Sequence, residues 1–368
     1  MNNTPELLSP AGDLDKMRFG IAYGADAVYM GGTRFGMRAA ATNFDDNALR
    51  EGIAYAHAHG VKCYITVNIM PSNRDLPALP AYLELLQDAG ADALIIADVG
   101  VLRMARRYAP KVPVHISTQT SILNHEAANY WADEGAERIV LARELSLEEI
   151  AEIRAKTPKE LEIEAFVHGA MCISYSGRCL ISQYMTGRDA NHGACAQPCR
   201  WNYSLMEEKR PGQFFPVEED GRGTYLYNSK DMCMIEHVPE LIEAGITSFK
   251  IEGRNKTAYY AACVTGAYRA AIDAYRKDPN GFVLPQFCRD EVNKVSHREY
   301  YTGFYFGNQE NGQHYGDSQY IREYEVVGMP VECDDSGKAV FALKNRFFDG
   351  EELELIQPGQ VPYVFRAE

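Results

Sequence analysis

Two features of the sequence predict a (β/α)8 barrel: eight short apolar runs alternate with amphipathic stretches, and glycine precedes several of these runs at the same position. Runs of this length suit strands that are buried on both faces of a parallel sheet. The predicted strands are residues 6–9, 27–30, 61–69, 93–97, 112–117, 138–141, 161–167 and 247–251. An open, doubly wound sheet is the alternative. The barrel is favoured because eight parallel units close more naturally than they stay open.

The segments between the strands have the spacing of amphipathic helices. Predicted helices cover residues 48–59, 79–88, 101–108, 126–134 and 147–156, and a long helix, 257–277, follows the last strand. A glycine ends the helical pattern directly before a strand at Gly24, Gly90, Gly135 and Gly245. Glycine is common there because it adopts the left-handed conformation that stops a helix. The repetition indicates one structural unit used many times.

One connection is much longer than such a unit requires. Residues 168–246 lie between the seventh and eighth predicted strands, whereas about 30 residues complete a whole βαβ unit. We therefore predict an insertion between these strands, within a barrel domain that covers residues 1–310.

The pattern changes near the C-terminal end of the sequence. Residues 324–327, 339–343 and 352–356 are short β-type runs separated by turns rich in Gly and Asp. They predict a small, β-barrel-like domain over residues 320–368. The last run lies close to Glu368, which leaves open whether this domain is complete.

Charge and hydropathy argue against two classes of protein. The chain of 368 residues has a formal net charge of −14, the wrong sign for a protein held on nucleic acid by general basicity, although a local basic site stays compatible with it. The first residues lack the charged and apolar regions of a signal peptide. The longest apolar run, 93–101, contains Asp98 and is too short to cross a bilayer. We expect a soluble, cytoplasmic protein without a membrane partner.

The cysteines are concentrated in the predicted insertion. Five of the nine lie there: Cys172, Cys179, Cys195, Cys199 and Cys233. An odd number of cysteines without an export signal argues against a disulfide framework and for a metal or cluster site. An iron–sulfur cluster needs four thiolates, so five candidates leave one spare. Zinc is the weaker interpretation, because only Cys195 and Cys199 form a closely spaced pair.

A cysteine nucleophile is a competing interpretation of the same segment. His168 lies four residues before Cys172 and could activate a thiol as a general base. A thiol that holds a cluster is not available as a nucleophile, so the two interpretations exclude each other.

Polar residues at the carboxyl ends of the predicted strands outline a site, because barrel enzymes carry their reactive groups there. Candidate catalytic residues are His168, Glu252 and Asp98, and candidate substrate-binding residues are Asn68, Gln119, Arg143 and Arg254. The two arginines favour an anionic or polar ligand. The alternative for Asn68 and Asp98 is a polar cap at the start of a helix. Glu164, inside an apolar strand, is expected to need a charged partner.

Five segments of the chain resemble the signature of a known family. They are residues 164–172, 176–182, 187–200, 228–233 and 249–254. Together they resemble the collagenase-like peptidases of family U32, and the resemblance extends from Leu7 to the region of Gly307.

The resemblance implies an iron–sulfur enzyme that modifies RNA. Similar members carry out prephenate-dependent hydroxylation of the wobble uridine of tRNA to 5-hydroxyuridine. Carried over by motif, the ligands of a [4Fe–4S] cluster are Cys172, Cys179, Cys195 and Cys233, with Cys199 as an alternative ligand. Other relatives hydroxylate a cytidine of ribosomal RNA or a ubiquinone precursor, and some are described as collagenases. A peptidase, or a hydroxylase of another RNA base or a quinone precursor, is therefore the alternative function.

The sequence contains partners for such a reaction. Prephenate is a dicarboxylate, which suits Arg143 and Arg254. Two stretches are locally basic: 178–210, with the further substrate-binding candidates Arg178 and Arg200, and 250–276. Aromatic residues accompany the first stretch and could stack an unpaired base or pack around the cluster: Tyr175, Tyr184, Trp201 and Tyr203. We expect these stretches to bind the anticodon region of tRNA, and iron–sulfur assembly proteins to be further partners.

Overall fold

The computed structural model contains a closed barrel of eight parallel strands. It describes residues 4–37, 43–201, 204–206, 214–216, 229–307, 320–334 and 336–368. The strands in chain order are β1 (Glu6–Ala11), β2 (Ala27–Gly31), β3 (Lys62–Val67), β4 (Ala93–Ile96), β5 (Val114–Ile116), β6 (Arg138–Val140), β7 (Glu162–Ala170), β8 (Ser204–Met206), β9 (Phe214–Pro216), β10 (Asp231–Cys233), β11 (Ser248–Ile251), β12 (Tyr300–Tyr301), β13 (Gly328–Cys333), β14 (Ala339–Leu343), β15 (Glu352–Leu355) and β16 (Tyr363–Arg366). Strands β1 to β7 pair in order, and β11 closes the barrel by pairing in parallel with both β7 and β1. The predicted barrel is confirmed, and each of its strands overlaps one predicted run.

Helices alternate with the barrel strands. They are α1 (Leu14–Ala22), α2 (Asp46–Ala58), α3 (Leu79–Asp88), α4 (Val99–Tyr108), α5 (His125–Asp133), α6 (Leu147–Ala155), α7 (Ile181–Thr186), α8 (Val238–Glu243), α9 (Ala258–Lys277) and α10 (Gln286–Lys294). The predicted glycine stops occur at Gly24, Gly90, Gly135 and Gly245, which all have positive φ. Within the described residues, we find no helix that is both long enough and apolar enough to span a membrane.

Short polar side chains fix where the helices begin. Asp13, Asp45 and Asn124 each accept hydrogen bonds from backbone N–H groups in the first turns of α1, α2 and α5. Ser146 and Glu149 form a reciprocal capping box at the start of α6. These caps satisfy N–H groups that have no partner within a helix. Each helix therefore starts at a defined place close to the carboxyl end of the preceding strand.

A buried ion network crosses the interior of the barrel. Nη1 of Arg138 lies 2.6 Å from Oε1 of Glu6 and 3.0 Å from Oε2 of Glu164. Nζ of Lys250 lies 2.5 Å from Oε1 of Glu164, and the Tyr64 hydroxyl donates to Oε2 of Glu6 at 2.7 Å. Glu164 therefore has the charged partners that its place in an apolar strand requires. The network links β1, β3, β6, β7 and β11.

The long connection after β7 folds over the carboxyl ends of the barrel strands. Strand β10 pairs antiparallel with the end of β7, which places Cys233 opposite His168, and β12 runs along β10. Beyond β3, the Met70 amide donates to the carbonyl of Asn191 at 3.0 Å. The cysteine-rich part of the insertion therefore covers the mouth of the barrel.

The C-terminal strands form two separate antiparallel hairpins, β13–β14 and β15–β16. Strands β14 and β15 match predicted runs, whereas residues 324–327 are not a strand and β13 begins at Gly328. Side chains connect this region with the barrel: Nζ of Lys294 lies 2.5 Å from Oε2 of Glu354. The division into domains at residues 310 and 320 stays a prediction.

Candidate active site at the barrel mouth

A cavity of about 790 Å³ lies at the carboxyl end of the barrel. Three parts of the chain form its walls: the segment after β11, the cysteine-rich insertion, and the segment that leads into the C-terminal hairpins. Residues from these three parts include Glu252 and Lys256, then Cys172 and Cys199, then Tyr320. The volume is that of a pocket for a small organic molecule.

Glu252 lies on the barrel side of the cavity, as its place after the last strand predicts. Its amide donates to the carbonyl of His168 at 2.9 Å, and the Tyr29 hydroxyl lies 3.4 Å from its Oε2 atom. Gly169 has a φ of 108°, and a Cβ atom there would collide with the carbonyl oxygen of Glu252. Glycine at the end of β7 thus allows the Glu252 backbone to approach.

Arg143 lies behind the cavity and faces both an acid and a thiol. Its Nη1 donates to the carbonyl of Ala170 at 3.0 Å and its Nη2 donates to Oγ of Ser176 at 3.1 Å. Burial alone would lower the pKa of Arg143, but the neighbouring Cys172 and Glu252 raise it above its usual value. The guanidinium therefore stays charged and favours the thiolate form of Cys172.

Asn68 and Gln119 form a buried polar group at the ends of β3 and β5. The Asn68 amide nitrogen lies 3.2 Å from Oγ of Ser117 and 3.4 Å from Oε1 of Gln119. Gly177 of the insertion lies directly over the Gln119 side chain. The structure brings these two predicted residues together beneath the cysteine-rich segment.

Arg254 and Asp98 have clear structural contacts. Arg254 is buried, donates from Nη1 to the Thr66 hydroxyl at 3.2 Å, and lies over the ring of Tyr29. Asp98 caps α4, because its Oδ1 atom accepts from the amides of Gly100 and Val101 at 2.8 and 3.0 Å. Asp98 therefore caps a helix, as the alternative interpretation of this residue predicts.

His168 is buried among tyrosine side chains. Its Nε2 lies 3.2 Å from the Tyr300 hydroxyl and its Nδ1 lies 3.5 Å from the Tyr268 hydroxyl. Burial, with the positive charge of Lys256 and His297, lowers the pKa of His168 to about 3, so the ring is neutral. Both ring nitrogens thus face tyrosine hydroxyls, while β10 places Cys233 opposite His168 on the neighbouring strand.

Four of the five cysteines of the insertion lie near one another. Cys172, Cys195 and Cys199 line the cavity. Burial raises the pKa of Cys199 to about 11, and the nearby thiols of Cys172, Cys195 and Cys179 add to this, while Arg200 opposes it. The four thiols thus interact electrostatically at one end of the cavity.

Cys233 lies on β10, outside the segment that carries these four thiols. Across the antiparallel pair of β10 and β7 it lies opposite His168, which precedes Cys172 by four residues along the chain. Burial raises the pKa of Cys233 to about 12, with Glu236 adding to it and Tyr268 opposing it. Sequence spacing cannot reveal this register.

The four neighbouring thiols fit a thiolate-bound cluster in kind and number. Arg143 adjoins Cys172, and Arg200 adjoins Cys199, where it opposes the effect of burial on the pKa of that thiol. In the described residues, no three His, Cys, Asp or Glu side chains already stand at metal-ligand positions. The thiols therefore match a cluster in the kind and number of their ligand atoms, and not in a preformed ligand geometry.

Lys256 and Arg298 are cavity-side cations that the site prediction missed. Lys256 lines the cavity and lies 4.4 Å above the ring of Tyr320. Burial lowers the pKa of Lys256 to about 8, against the opposing effect of Asp231. Arg298 lies 4.5 Å from the same ring. Lys256 belongs to the basic stretch 250–276, but no motif distinguishes Arg298.

The two basic stretches differ in how exposed their Lys and Arg side chains are. In 250–276, Lys250 and Arg254 are buried, and Arg269 is paired with Asp273 at 2.6 Å. Lys250 and Arg254 thus face the interior of the protein, and Arg269 is engaged in an ion pair at the surface. In 178–210, Arg178 is exposed and Arg200 lines the cavity. Tyr175, Tyr184 and Trp201 of this region are exposed, whereas Tyr203 lies outside the described residues.

Comparison with known proteins assigns the family. The model of peptidase family U32 matches residues 12–315. The chain is 41% identical over 356 residues to tRNA hydroxylation protein P1 of Bacillus subtilis (strain 168), covering 96% of this chain and 84% of that protein. It is 38% identical to tRNA hydroxylation protein P of Escherichia coli (strain K12), covering 96% and 86%. It is 36% identical to 23S rRNA 5-hydroxycytidine C2501 synthase of the same strain, covering 89% and 48%. The chain therefore belongs to peptidase family U32.

Proposed function

We propose that this chain is an RNA hydroxylase whose substrate is tRNA. The observation that carries the proposal is its similarity, across 96% of its length, to relatives named as tRNA hydroxylation proteins. A third similar protein, named as a ribosomal RNA hydroxycytidine synthase, supports the same chemistry on another base. The thiol-lined cavity at the barrel mouth is the proposed reaction site, where barrel enzymes place their reactive groups.

In this proposal, the reaction converts the wobble uridine of tRNA to 5-hydroxyuridine and uses prephenate as a co-substrate. Introducing a hydroxyl group on a pyrimidine is redox chemistry that side chains do not perform alone. A [4Fe–4S] cluster would supply the electron-transfer chemistry. The proposed ligands are Cys172, Cys179 and Cys195 together with a fourth cysteine. The family resemblance implies Cys233 in that place, and the proximity of Cys199 to the other three thiols supports Cys199 as the alternative.

The remaining residues of the cavity have complementary tasks in this proposal. Arg143 stabilises the Cys172 thiolate, and Glu252 is the carboxylate placed to accept a proton from a bound substrate. Asn68 and Gln119 lie beneath the cysteine-rich segment and support it above the barrel. The insertion forms one wall of the cavity at the barrel mouth.

Two matched cysteine variants test the cluster. After anaerobic reconstitution, we expect Cys199→Ser to lose most of the bound iron and the visible absorbance of the wild type if Cys199 is the fourth ligand. Cys233→Ser is the matched variant, because Cys233 on β10 is the other candidate for the fourth ligand. Iron loss in Cys233→Ser, with Cys199→Ser unaffected, would assign the fourth position to Cys233. A wild-type protein that remains free of iron would refute the cluster itself.

Nucleoside mass spectrometry tests the reaction. We expect tRNA from a strain that lacks this chain to lose 5-hydroxyuridine and its derivatives, and the wild-type gene to restore them. A loss of 5-hydroxycytidine from ribosomal RNA, with tRNA unchanged, would instead assign the activity to another RNA base. An unchanged nucleoside composition in both RNAs would refute the hydroxylase proposal.

A further inference from the structure

One wall of the cavity is rich in positive charge although the chain as a whole is acidic. The described cations that line or back the cavity are Arg143, Arg200, Lys256, Arg298, Arg322 and Lys344. The described acids there are Asp15, Glu144, Asp231 and Glu252. The net charge of the whole chain is −14, so the excess of cations at this place is a local feature. Positive charge concentrated in a concave site attracts anions.

Three of these cations converge on Tyr320. The side chains of Lys256 and Arg298 lie 4.4 and 4.5 Å from its ring. Nη1 of Arg200 lies 3.4 Å from its hydroxyl, which also accepts from Nη2 of Arg298 at 2.9 Å. Like charges so close together repel one another unless an anion joins them.

Arg298 has donors that lack acceptors within the described part of the chain. The residue is only 3% exposed, yet neither its Nε nor its Nη1 atom has a hydrogen-bond partner among the described residues. Nη1 lies 3.5 Å from Oδ1 of Asp231, which is itself without a hydrogen bond. A buried guanidinium normally uses its donors, because leaving them unpaired is costly.

Asp231 is a shared counter-ion rather than a full one. Its Oδ2 atom lies 3.9 Å from Nζ of Lys256, and its Oδ1 atom faces Arg298. Lys256 donates its one close hydrogen bond to the carbonyl of Ser296 at 2.8 Å, which leaves further ammonium donors toward the cavity that it lines. One carboxylate is therefore the counter-ion of two cations, Lys256 and Arg298, and Arg200 is a third cation beside them.

We propose that Arg200 and Lys256, which line the cavity, form an oxyanion-binding site beside Tyr320 together with Arg298, which is buried against the same ring. Its occupant is either a carboxylate of a small substrate or a phosphate of an RNA backbone, since both present the oxygen atoms that guanidinium and ammonium groups bind. The site differs from the pair Arg143 and Arg254, whose described contacts are with protein groups. The inference holds whether or not the chain hydroxylates RNA, because binding alone defines it.

Direct binding measurements on the full chain test the site. The probes are malonate, inorganic phosphate and an RNA hairpin with a single-stranded loop, titrated by calorimetry at two salt concentrations. The variants are Lys256→Gln and Arg298→Gln. The control is Lys159→Gln, which removes an exposed charge just before β7, at the opposite end of the barrel. We expect each variant to weaken the binding of at least one probe about tenfold, and the control to bind like the wild type.

The pattern of losses identifies the occupant. Weaker binding of malonate and phosphate, with the hairpin unchanged, assigns the site to a small anion; a selective loss of hairpin binding assigns it to backbone phosphate. Unchanged binding of all probes in both variants would overturn the proposal. So would variants that lose only iron after reconstitution, because the cations would then merely offset the charge of the cluster. If Arg298→Gln does not fold, the less buried Lys256→Gln gives the decisive result.

Discussion

Replacing Arg138 by methionine tests whether the ion network inside the barrel stabilises the fold that carries the site. The Arg138 side chain is 2% exposed and that of Glu164 is fully buried. In Arg138→Met, Glu164 keeps Lys250 as a partner, whereas Glu6 loses its cation. Removing one partner of a buried ion pair typically costs about 3–5 kcal/mol of unfolding free energy. Since whole domains have about 5–15 kcal/mol, the expected loss is a large part of the total.

Urea unfolding followed by circular dichroism measures this loss. The matched control is Arg106→Met, since Arg106 pairs with Glu134 at 3.0 Å while its side chain is 48% exposed. Exposed pairs contribute about 0–1 kcal/mol, so the control should unfold close to the wild type. If Arg138→Met loses no more stability than Arg106→Met, with the same dependence on urea, the network does not stabilise the barrel and the reasoning fails.

Three further predictions use single side chains. Burial alone would raise the pKa of Glu6, but Arg138 and hydrogen bonds hold it below its usual value. The free energy of unfolding should therefore fall as the pH drops through the folded pKa of Glu6. In Glu6→Gln, urea titrations at several pH values should show a smaller fall. Asp98→Ala should lower the free energy of unfolding by about 1 kcal/mol through its lost helix cap and leave the amount of modified nucleoside unchanged. A loss of modified nucleoside at unchanged stability would instead support the catalytic assignment of Asp98. Tyr184, 91% exposed, should contribute about 1–3 kcal/mol to RNA binding by stacking; Tyr184→Ala should weaken hairpin affinity more than Tyr130→Ala does.

The barrel could be predicted because its strands are buried on both faces. Such strands are continuous apolar runs, and a repeated glycine stop marks where each one begins. The exposed hairpins near the C-terminal end give a weaker pattern. The predicted run at 324–327 is not a strand, and β13 starts at Gly328 instead. Exposed strands lack the alternation that burial imposes, so their ends are hard to place.

The site was harder to predict because it depends on pairing between distant segments. The cysteine spacing locates the thiols on the chain, but the register of β10 on β7 determines that Cys233 faces His168. Likewise, Arg298 is one cation in an aromatic, loop-like segment of the sequence. No motif distinguishes it, yet its amide donates to Oδ2 of Asp231 at 3.2 Å, and its guanidinium lies over the ring of Tyr320, which lines the cavity. Long-range strand pairing of this kind leaves no local pattern to read.

An acidic chain can bind RNA if its cations are concentrated at one place. The net charge of −14 is spread over the whole chain, and exposed charges are screened beyond about 10 Å at 0.1 M salt. Cations in a partly closed cavity are screened less, so they dominate the field that a nearby phosphate experiences. A site built from about three cations should release few counter-ions, which gives a slope of about −2 in a plot of log affinity against log salt for a single strand. A much steeper slope for the RNA hairpin would require an additional basic surface and would contradict a binding mode confined to this cavity.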